Sequence, residues 1–155
     1  MRTYDIIAFY GAGYDTPQLT NGQLLTSGIA EGFCTGKQKL AQRWLLEFLT
    51  ARGSMGFHLS TRGTNFVQQF RNQQFNGENV VRSEFIFAAN AVADNLALDV
   101  TADTPADEQL ASAELTGVVI QPGYLTLEIQ LITQAGTITQ FIAPIASLPN
   151  LESAL

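Results

Sequence analysis

The sequence contains very little of the two residues that most often build disulfides and transition-metal sites. Its 155 residues include one cysteine, Cys34, and one histidine, His58. A single cysteine excludes a disulfide within the chain, which favours a reducing compartment. A single histidine excludes the zinc motifs that need two. We therefore predict no metal site.

Charged residues are also scarce, and they are unevenly spread. They make up 14% of the chain, against roughly 25% in an average soluble domain. The net charge of −6 argues against nucleic-acid binding through bulk electrostatics. All eight basic residues lie at or before Arg82, so residues 1–82, with five acids, carry +3 and residues 83–155 carry −9. Either the surface is bipolar and suits oriented docking between subunits, or folding intermixes the two halves.

Long apolar runs are absent. The longest uncharged stretch, Ile129 to Leu151, is interrupted by threonine, glutamine, glycine and proline, which argues against a membrane span. The first five residues lack the apolar core of a signal peptide. We expect a soluble chain made inside the cell that binds neither membrane nor nucleic acid.

The motifs of nucleotide-binding sites are incomplete. Gly11-Ala12-Gly13 follows a predicted strand, but Thr16-Pro17 stands where a dinucleotide loop needs a third small residue and a helix. Gly36-Lys37 is followed by Gln38 and lacks the hydroxyl residue of a phosphate-binding loop. We predict no cofactor-binding residues.

The sequence singles out no catalytic group either. Cys34 and His58 are conceivable as a nucleophile and base, but an isolated apolar-flanked cysteine is usually buried and inert. Glycoside hydrolysis needs two carboxylates, and no local spacing distinguishes a pair among the candidates, which are Glu31, Glu47, Glu78 and Glu84. We place Glu47 on the solvated side of its helix. The acidic segment 101–112 is predicted to be a solvated or partner-facing loop.

Apolar periodicity predicts three helices in the middle of the chain. The first spans 37–50, with Thr35 as a candidate cap and Arg52-Gly53 as its glycine stop. The second spans 64–74, and Asn76-Gly77 separates it from the third, at 78–98. Most phenylalanines fall in this region, so we expect the core to be centred there.

Alternating residues predict strands at the two ends. The first is 4–10, followed by a turn-rich arm at 15–32. Three more are predicted at 114–121, 124–133 and 137–143, the last two joined by a hairpin at Gln134-Ala135-Gly136 and the last stopped by Pro144. We predict an α+β fold with three helices packed on a small antiparallel sheet formed mainly by the C-terminal strands. The single domain, 1–155, divides into a strand and arm (1–35), a helical core (36–98) and a β-meander (114–145).

The last strand is a candidate for pairing with another chain. It contains no lysine or arginine, and positive charge is a common protection of sheet edges. Its outer face is predicted to carry amide and hydroxyl groups. Strand addition from a neighbouring protein would use such an edge, although an ordinary polar sheet face explains the pattern equally well.

Residues 36–70 resemble the small baseplate-wedge, or sheath-initiator, family of contractile phage tails. The matching pieces are Leu40-Ala41-Gln42-Arg43, Phe48-Leu49-Thr50, Gly53-Ser54 and Gly63-Thr64. The C-terminal strands also resemble the ending of that family, and the resemblance spans 23–145. Many members carry Glu-Pro-Arg before the first C-terminal strand, whereas here Glu114 is followed by Leu115-Thr116.

The resemblance implies a structural role in the virion, at the tail baseplate. The helical part would pack on other baseplate wedge proteins, and the β part would offer a strand to the first ring of tail sheath subunits. Several copies would stand in a six-fold assembly, and no catalysis would be needed. The implied interface residues are Thr137, Ile138, Thr139, Gln140, Phe141, Ile142, Gly53, Gly63 and Glu114. The alternatives are a tail-associated, lysozyme-like cell-wall hydrolase and a small-ligand binding module.

Overall fold

Three helices and two antiparallel sheets make up the described part of the chain. A computed structural model describes residues 5–6, 33–54 and 61–146. The elements, in order, are β1 (Asp5–Ile6), β2 (Phe33–Cys34), α1 (Gly36–Leu49), α2 (Phe66–Arg71), α3 (Glu78–Leu98), a 3₁₀ turn (Ala106–Glu108), β3 (Leu110–Gln121), β4 (Tyr124–Thr133) and β5 (Ile138–Ala146). The predicted α+β class is confirmed. The predicted arm at 15–32 lies outside the described residues, and β1 pairs with β2.

Helix α1 spans Gly36–Leu49, close to the predicted 37–50, but the contacts at its two ends differ from those predicted. Thr35 is the N-cap residue, yet its hydroxyl donates to Glu108 Oε1 at 2.9 Å and does not cap the helix. At the other end, the extended Thr50 is the C-cap. Gly53, with φ of +80°, lies further along in a turn. Thr35 therefore occupies the predicted cap position without making a side-chain cap, and the prediction of Gly53 as the helix stop was wrong.

Helix α2 is shorter than predicted, whereas α3 has the predicted bounds. The second helix ends at Arg71, and Gln73 adopts a left-handed φ of 56°, which is incompatible with a continuing helix. Phe66 is buried at its start. Helix α3 begins directly after Gly77, as the Asn-Gly break predicts.

The core lies between the helices and one face of the sheet, so the prediction of a core centred in the helical region was incomplete. Trp44 of α1 is fully buried and stacks on Phe48 at 4.8 Å between ring centroids. It also lies 6.0 Å from the ring of Phe85 on α3 and 6.0 Å from that of Phe141 on β5. The sheet contributes a row of buried side chains from β4, which are Leu125, Leu127, Ile129 and Leu131. Alternation along β4 therefore sends every second residue into the core.

The larger sheet has the order β3-β4-β5 and is antiparallel throughout. The strand predicted at 114–121 begins at Leu110, so the meander covers 110–146 rather than 114–145. The predicted hairpin is confirmed, with Gly136 at φ +77°. Pro144 does not stop β5, because it pairs in register with Thr126 within the strand. An edge strand tolerates proline where the missing N–H faces away from the ladder.

Folding brings together the positive and negative halves of the sequence. Lys39 on α1 pairs with Glu108 of the 3₁₀ turn, with Nζ and Oε2 2.8 Å apart. Arg62 pairs with Asp99 after α3. The described residues therefore favour intermixing over a bipolar surface. Among the helices of the described ranges, none has the length and apolarity to cross a bilayer.

Candidate partner-binding surfaces

The two edges of the larger sheet differ in how well they are protected. The edge strand β3 is interrupted by register shifts between Leu110 and Ser112 and between Leu115 and Gly117. At the second shift, Arg82 on α3 donates from Nη1 to the Leu115 carbonyl at 3.2 Å. Bulges and covering side chains are common defences of a sheet edge. Addition of another strand at β3 is therefore disfavoured.

The β5 edge has neither of these protections in the described structure. Its pairing with β4 runs without a register shift from Ile132 opposite Ile138 to Tyr124 opposite Ala146. At the hairpin, the Thr133 N–H donates to the Thr137 carbonyl at 3.0 Å. Hydrogen-bonded and non-hydrogen-bonded pairs alternate along an antiparallel ladder. The odd-numbered residues of β5 therefore bond to β4, and the even-numbered ones direct N–H and C=O to the open edge.

Pro144 fits this assignment. It is even-numbered, so its position needs no N–H for the ladder with β4, and proline has none to give. At the open edge it offers an acceptor but no donor. A strand added at this edge would find complete donor–acceptor pairs at Ile138, Gln140 and Ile142, and the pattern would be broken at Pro144.

The side chains of β5 alternate between the core and the outer face. Thr139 and Phe141 point inward and are buried. Ile138 and Ile142 point outward and are 52% and 45% exposed. Gln140 lies between them and donates from Nε2 to Gln130 Oε1 at 2.7 Å. The predicted interface residues on this strand therefore divide into a buried set and an outward set.

Glu114 lies on the opposite edge strand but on the same outer face. It stands opposite Gln130 in the register, and Gln130 stands opposite Gln140. The three side chains form one row across the sheet. Thr137 is in the hairpin turn, where its N–H donates to Thr133 Oγ1 at 3.1 Å. Most of the predicted strand residues thus belong to one sheet, with the outward ones on a common face.

The two predicted glycines lie elsewhere, in the segment that joins α1 to α2. Gly53 is exposed, and its N–H donates to the Arg62 carbonyl at 3.4 Å. Gly63 is buried with φ of +84°, and a Cβ there would lie 2.5 Å from the Thr50 carbonyl oxygen. The Thr64 N–H donates to that same oxygen at 2.8 Å. Glycine is therefore required at 63 both by conformation and by close backbone packing.

Glu47 holds this segment in place, although the sequence analysis placed it on the solvated side of α1. Its Oε1 accepts from the Gly63 N–H at 2.8 Å and from Asn95 Nδ2 at 2.7 Å. Arg62 bridges Glu47 and Asp99. The hydrogen bond to Asp99, with the nearby Glu47 charge, outweighs the effect of burial and raises the pKa of Arg62. Helical periodicity gave no sign of these long-range partners.

Glu108 is a second buried carboxylate that the sequence analysis assigned to a solvated loop. It accepts from the Thr35 hydroxyl at 2.9 Å, from the Gly36 N–H at 3.2 Å and from Lys39 Nζ at 2.8 Å. Burial opposes its ionisation, but these three donors together lower its pKa below the ordinary value. The carboxylate also lies at the N-terminus of α1, where the helix dipole favours negative charge. The acidic segment is therefore fastened to α1.

A cleft lies beside this ion pair. Two adjoining cavities of about 250 and 380 Å³ share Arg43, Asp99, Thr104 and Glu108 among their linings. Its central carboxylate is already occupied by Lys39. In the described ranges, no group of three or more His, Cys, Asp or Glu is placed to hold a metal ion.

The carboxylates considered for hydrolysis have structural partners wherever they are described. Glu47 is bound to Gly63 and Asn95, as above. Glu78 accepts from Arg82 at 2.6 Å, and Glu84 Oε2 accepts from Gln69 Nε2 at 2.9 Å. Glu31 and His58 lie outside the described residues, so nothing in the structure tests the Cys34–His58 pairing considered from the sequence. Searches against known protein families, curated proteins and solved structures find no match for the chain.

Proposed function

We propose that this chain is a structural component of a contractile phage tail baseplate, joining other wedge proteins to the first ring of tail sheath subunits. The observation that carries the proposal is the contrast between the two edges of the sheet. Among the described residues, strand β5 keeps a regular, open edge, whereas β3 is broken by bulges and contacted by Arg82. The partners proposed are those that the resemblance of residues 36–70 to the sheath-initiator family implies.

The coupling to sheath would be made by main-chain hydrogen bonds at β5. A sheath strand would pair with Ile138, Gln140 and Ile142, whose N–H and C=O groups point to the open edge. Each such bond contributes about 0.5–1.5 kcal/mol. Pro144 lacks a donor, so it would mark one limit of the paired region. This mode of binding requires little from the side chains and suits a template for polymerisation.

The wedge-facing part would be the helical region. Glu47 and Asn95 hold residues 61–63 against α1 and α3, and the Gly53 N–H donates to the Arg62 carbonyl of this stretch. A turn fixed by these contacts gives a rigid surface for a larger neighbour, since its backbone loses little freedom on binding. In the assembly, several copies would be arranged with six-fold symmetry in the virion.

Replacing Gln140 with proline tests strand sharing directly. Gln140→Pro removes an N–H at the open edge but none of the hydrogen bonds to β4. Gln140→Val is the matched control, because it also removes the amide contact with Gln130 but keeps the N–H. We expect the proline variant to stay folded and to enter particles without extended sheath, whereas the valine variant assembles normally. Normal sheath with Gln140→Pro would refute strand sharing at this edge.

A further inference from the structure

The outer face of the larger sheet, on the side away from the helices, is open in the described structure. It is formed by the outward side chains of β3, β4 and β5. Its large apolar members are partly exposed: Tyr124 is 57% exposed and Val119 46%. Ile138 and Ile142 are also exposed on this face, on either side of Gln140. The polar row of Glu114, Gln130 and Gln140 crosses the face, so exposed apolar side chains lie on both sides of it. Exposed apolar groups rimmed by polar residues are typical of a protein-binding site.

Two carboxylates lie among these apolar side chains. Glu114 and Glu128 are both exposed, and they occupy neighbouring cross-strand rows. The carboxylate of Glu128 lies over Gly117, where a Cβ would be 2.5 Å from Oε2. Among the described residues, neither carboxylate has an ion-pair partner in the structure, and the sequence has no lysine or arginine after Arg82. The face is therefore apolar and negatively charged, without a compensating base.

We propose that this face binds an extended segment of a partner protein that directs aliphatic side chains and lysine or arginine side chains to the same side. Two bases spaced to meet Glu114 and Glu128 would satisfy both carboxylates, and the aliphatic residues would cover the isoleucines and Tyr124. A second copy of the chain is a poor occupant, because face-to-face packing would bring four carboxylates together. Nucleic acids and anionic membranes are repelled by the same charges. The inference concerns the face of the sheet and does not rest on the edge pairing proposed above.

Selection from a random library of displayed peptides, nine residues long like β5, tests this inference without knowledge of the natural partner. We expect enriched peptides to contain both lysine or arginine and aliphatic residues among their alternate positions, so that both kinds of side chain lie on one side of an extended peptide. Binding of a selected peptide should weaken as salt is raised. It should fall about two- to fivefold for each of Glu114→Gln and Glu128→Gln, which are isosteric changes at exposed sites.

The outcomes separate this face from the β5 edge and from self-association. Gln140→Pro should leave binding within about twofold of Gln140→Val, because the carboxylates are retained. If peptide binding is lost in Gln140→Pro but unchanged in Glu114→Gln and Glu128→Gln, the peptides bind at the β5 edge and the inference is overturned. Absence of enrichment, or enriched peptides without bases, would also overturn it. A wild-type dimer seen by sedimentation, and lost in Glu114→Gln and Glu128→Gln, would also overturn the inference because it would assign the face to self-association.

Discussion

The buried pair of Lys39 and Glu108 gives the sharpest test of how the acidic segment is held to α1. Their side chains are 4% and 5% exposed, so each charge depends on the other. Lys39→Met removes the ammonium and leaves the carboxylate buried. Breaking a buried ion pair from one side typically costs about 3–5 kcal/mol. Glu108 keeps the donors from Thr35 and Gly36, so we expect a loss of about 3 kcal/mol in the free energy of unfolding.

A double-mutant cycle isolates the interaction. Glu108→Gln keeps an oxygen for the Thr35 hydroxyl and the Gly36 N–H but removes the negative charge opposite Lys39. The double variant Lys39→Met/Glu108→Gln buries no unpaired charge, so its cost should fall below the sum of the two single costs by about 2 kcal/mol. Urea denaturation followed by circular dichroism measures all four proteins. Additive losses would refute the account of this pair.

The pH dependence has a defined sign. In the wild type, the pKa of Glu108 is lowered from 4.5, so its contribution to stability is present above the ordinary carboxyl pKa. That contribution is lost as the pH falls through the lowered value. In Lys39→Met we expect burial to dominate and to raise the pKa of Glu108. The free energy of unfolding that the variant has lost relative to wild type should therefore become smaller as the pH is lowered. A deficit that stays constant between neutral pH and about pH 4 would contradict this reasoning.

Two further predictions concern the segment between α1 and α2. Both Gly53 and Gly63 have positive φ, but only Gly63 lies against the Thr50 carbonyl. Gly63→Ala should therefore lower the free energy of unfolding, measured by urea denaturation, several times more than Gly53→Ala. Equal losses of about 1 kcal/mol would show that backbone conformation alone matters. Asn95→Asp places a carboxylate against Glu47 in place of a donor 2.7 Å away, so it should lower the melting temperature more at neutral than at acidic pH. A pH-independent loss in calorimetry would argue against this contact.

The regular elements could be predicted where local pattern and breaker residues agree. Strand β4 alternates strictly and is bounded by Pro122-Gly123 and by the hairpin, so its predicted limits were correct. Helix α3 follows Asn76-Gly77 and keeps one apolar stripe. These signals act over a few residues, which is the range that sequence patterns report.

The sequence pattern was misleading where long-range contacts decide the environment. Glu47 and Glu108 occupy positions that local pattern assigns to solvent, yet each accepts hydrogen bonds from residues distant in the chain. Strand β3 begins at Leu110 because β4 provides its partner there, and local composition at that point is typical of a loop. Pro144 remains in β5 because its position faces the open edge.

The candidate surface could be predicted only in part. The absence of bases marked the C-terminal strands as weakly protected but did not decide which of them forms a free edge, and β5 lies at an edge of the sheet. Which of its residues face the edge depends on the pairing parity, which the Thr133–Thr137 hydrogen bond fixes. The carboxylates of Glu114 and Glu128 come together only through the register of β3 on β4.

The central claim is that the chain is a fixed part of a contractile tail. The most direct test is quantitative mass spectrometry of gradient-purified particles from a producing lysate. We predict the chain in the particles at a low, constant ratio to the sheath protein, and cross-linking should then join β5 to sheath. A chain that is abundant in the lysate but missing from the particles would contradict the structural role.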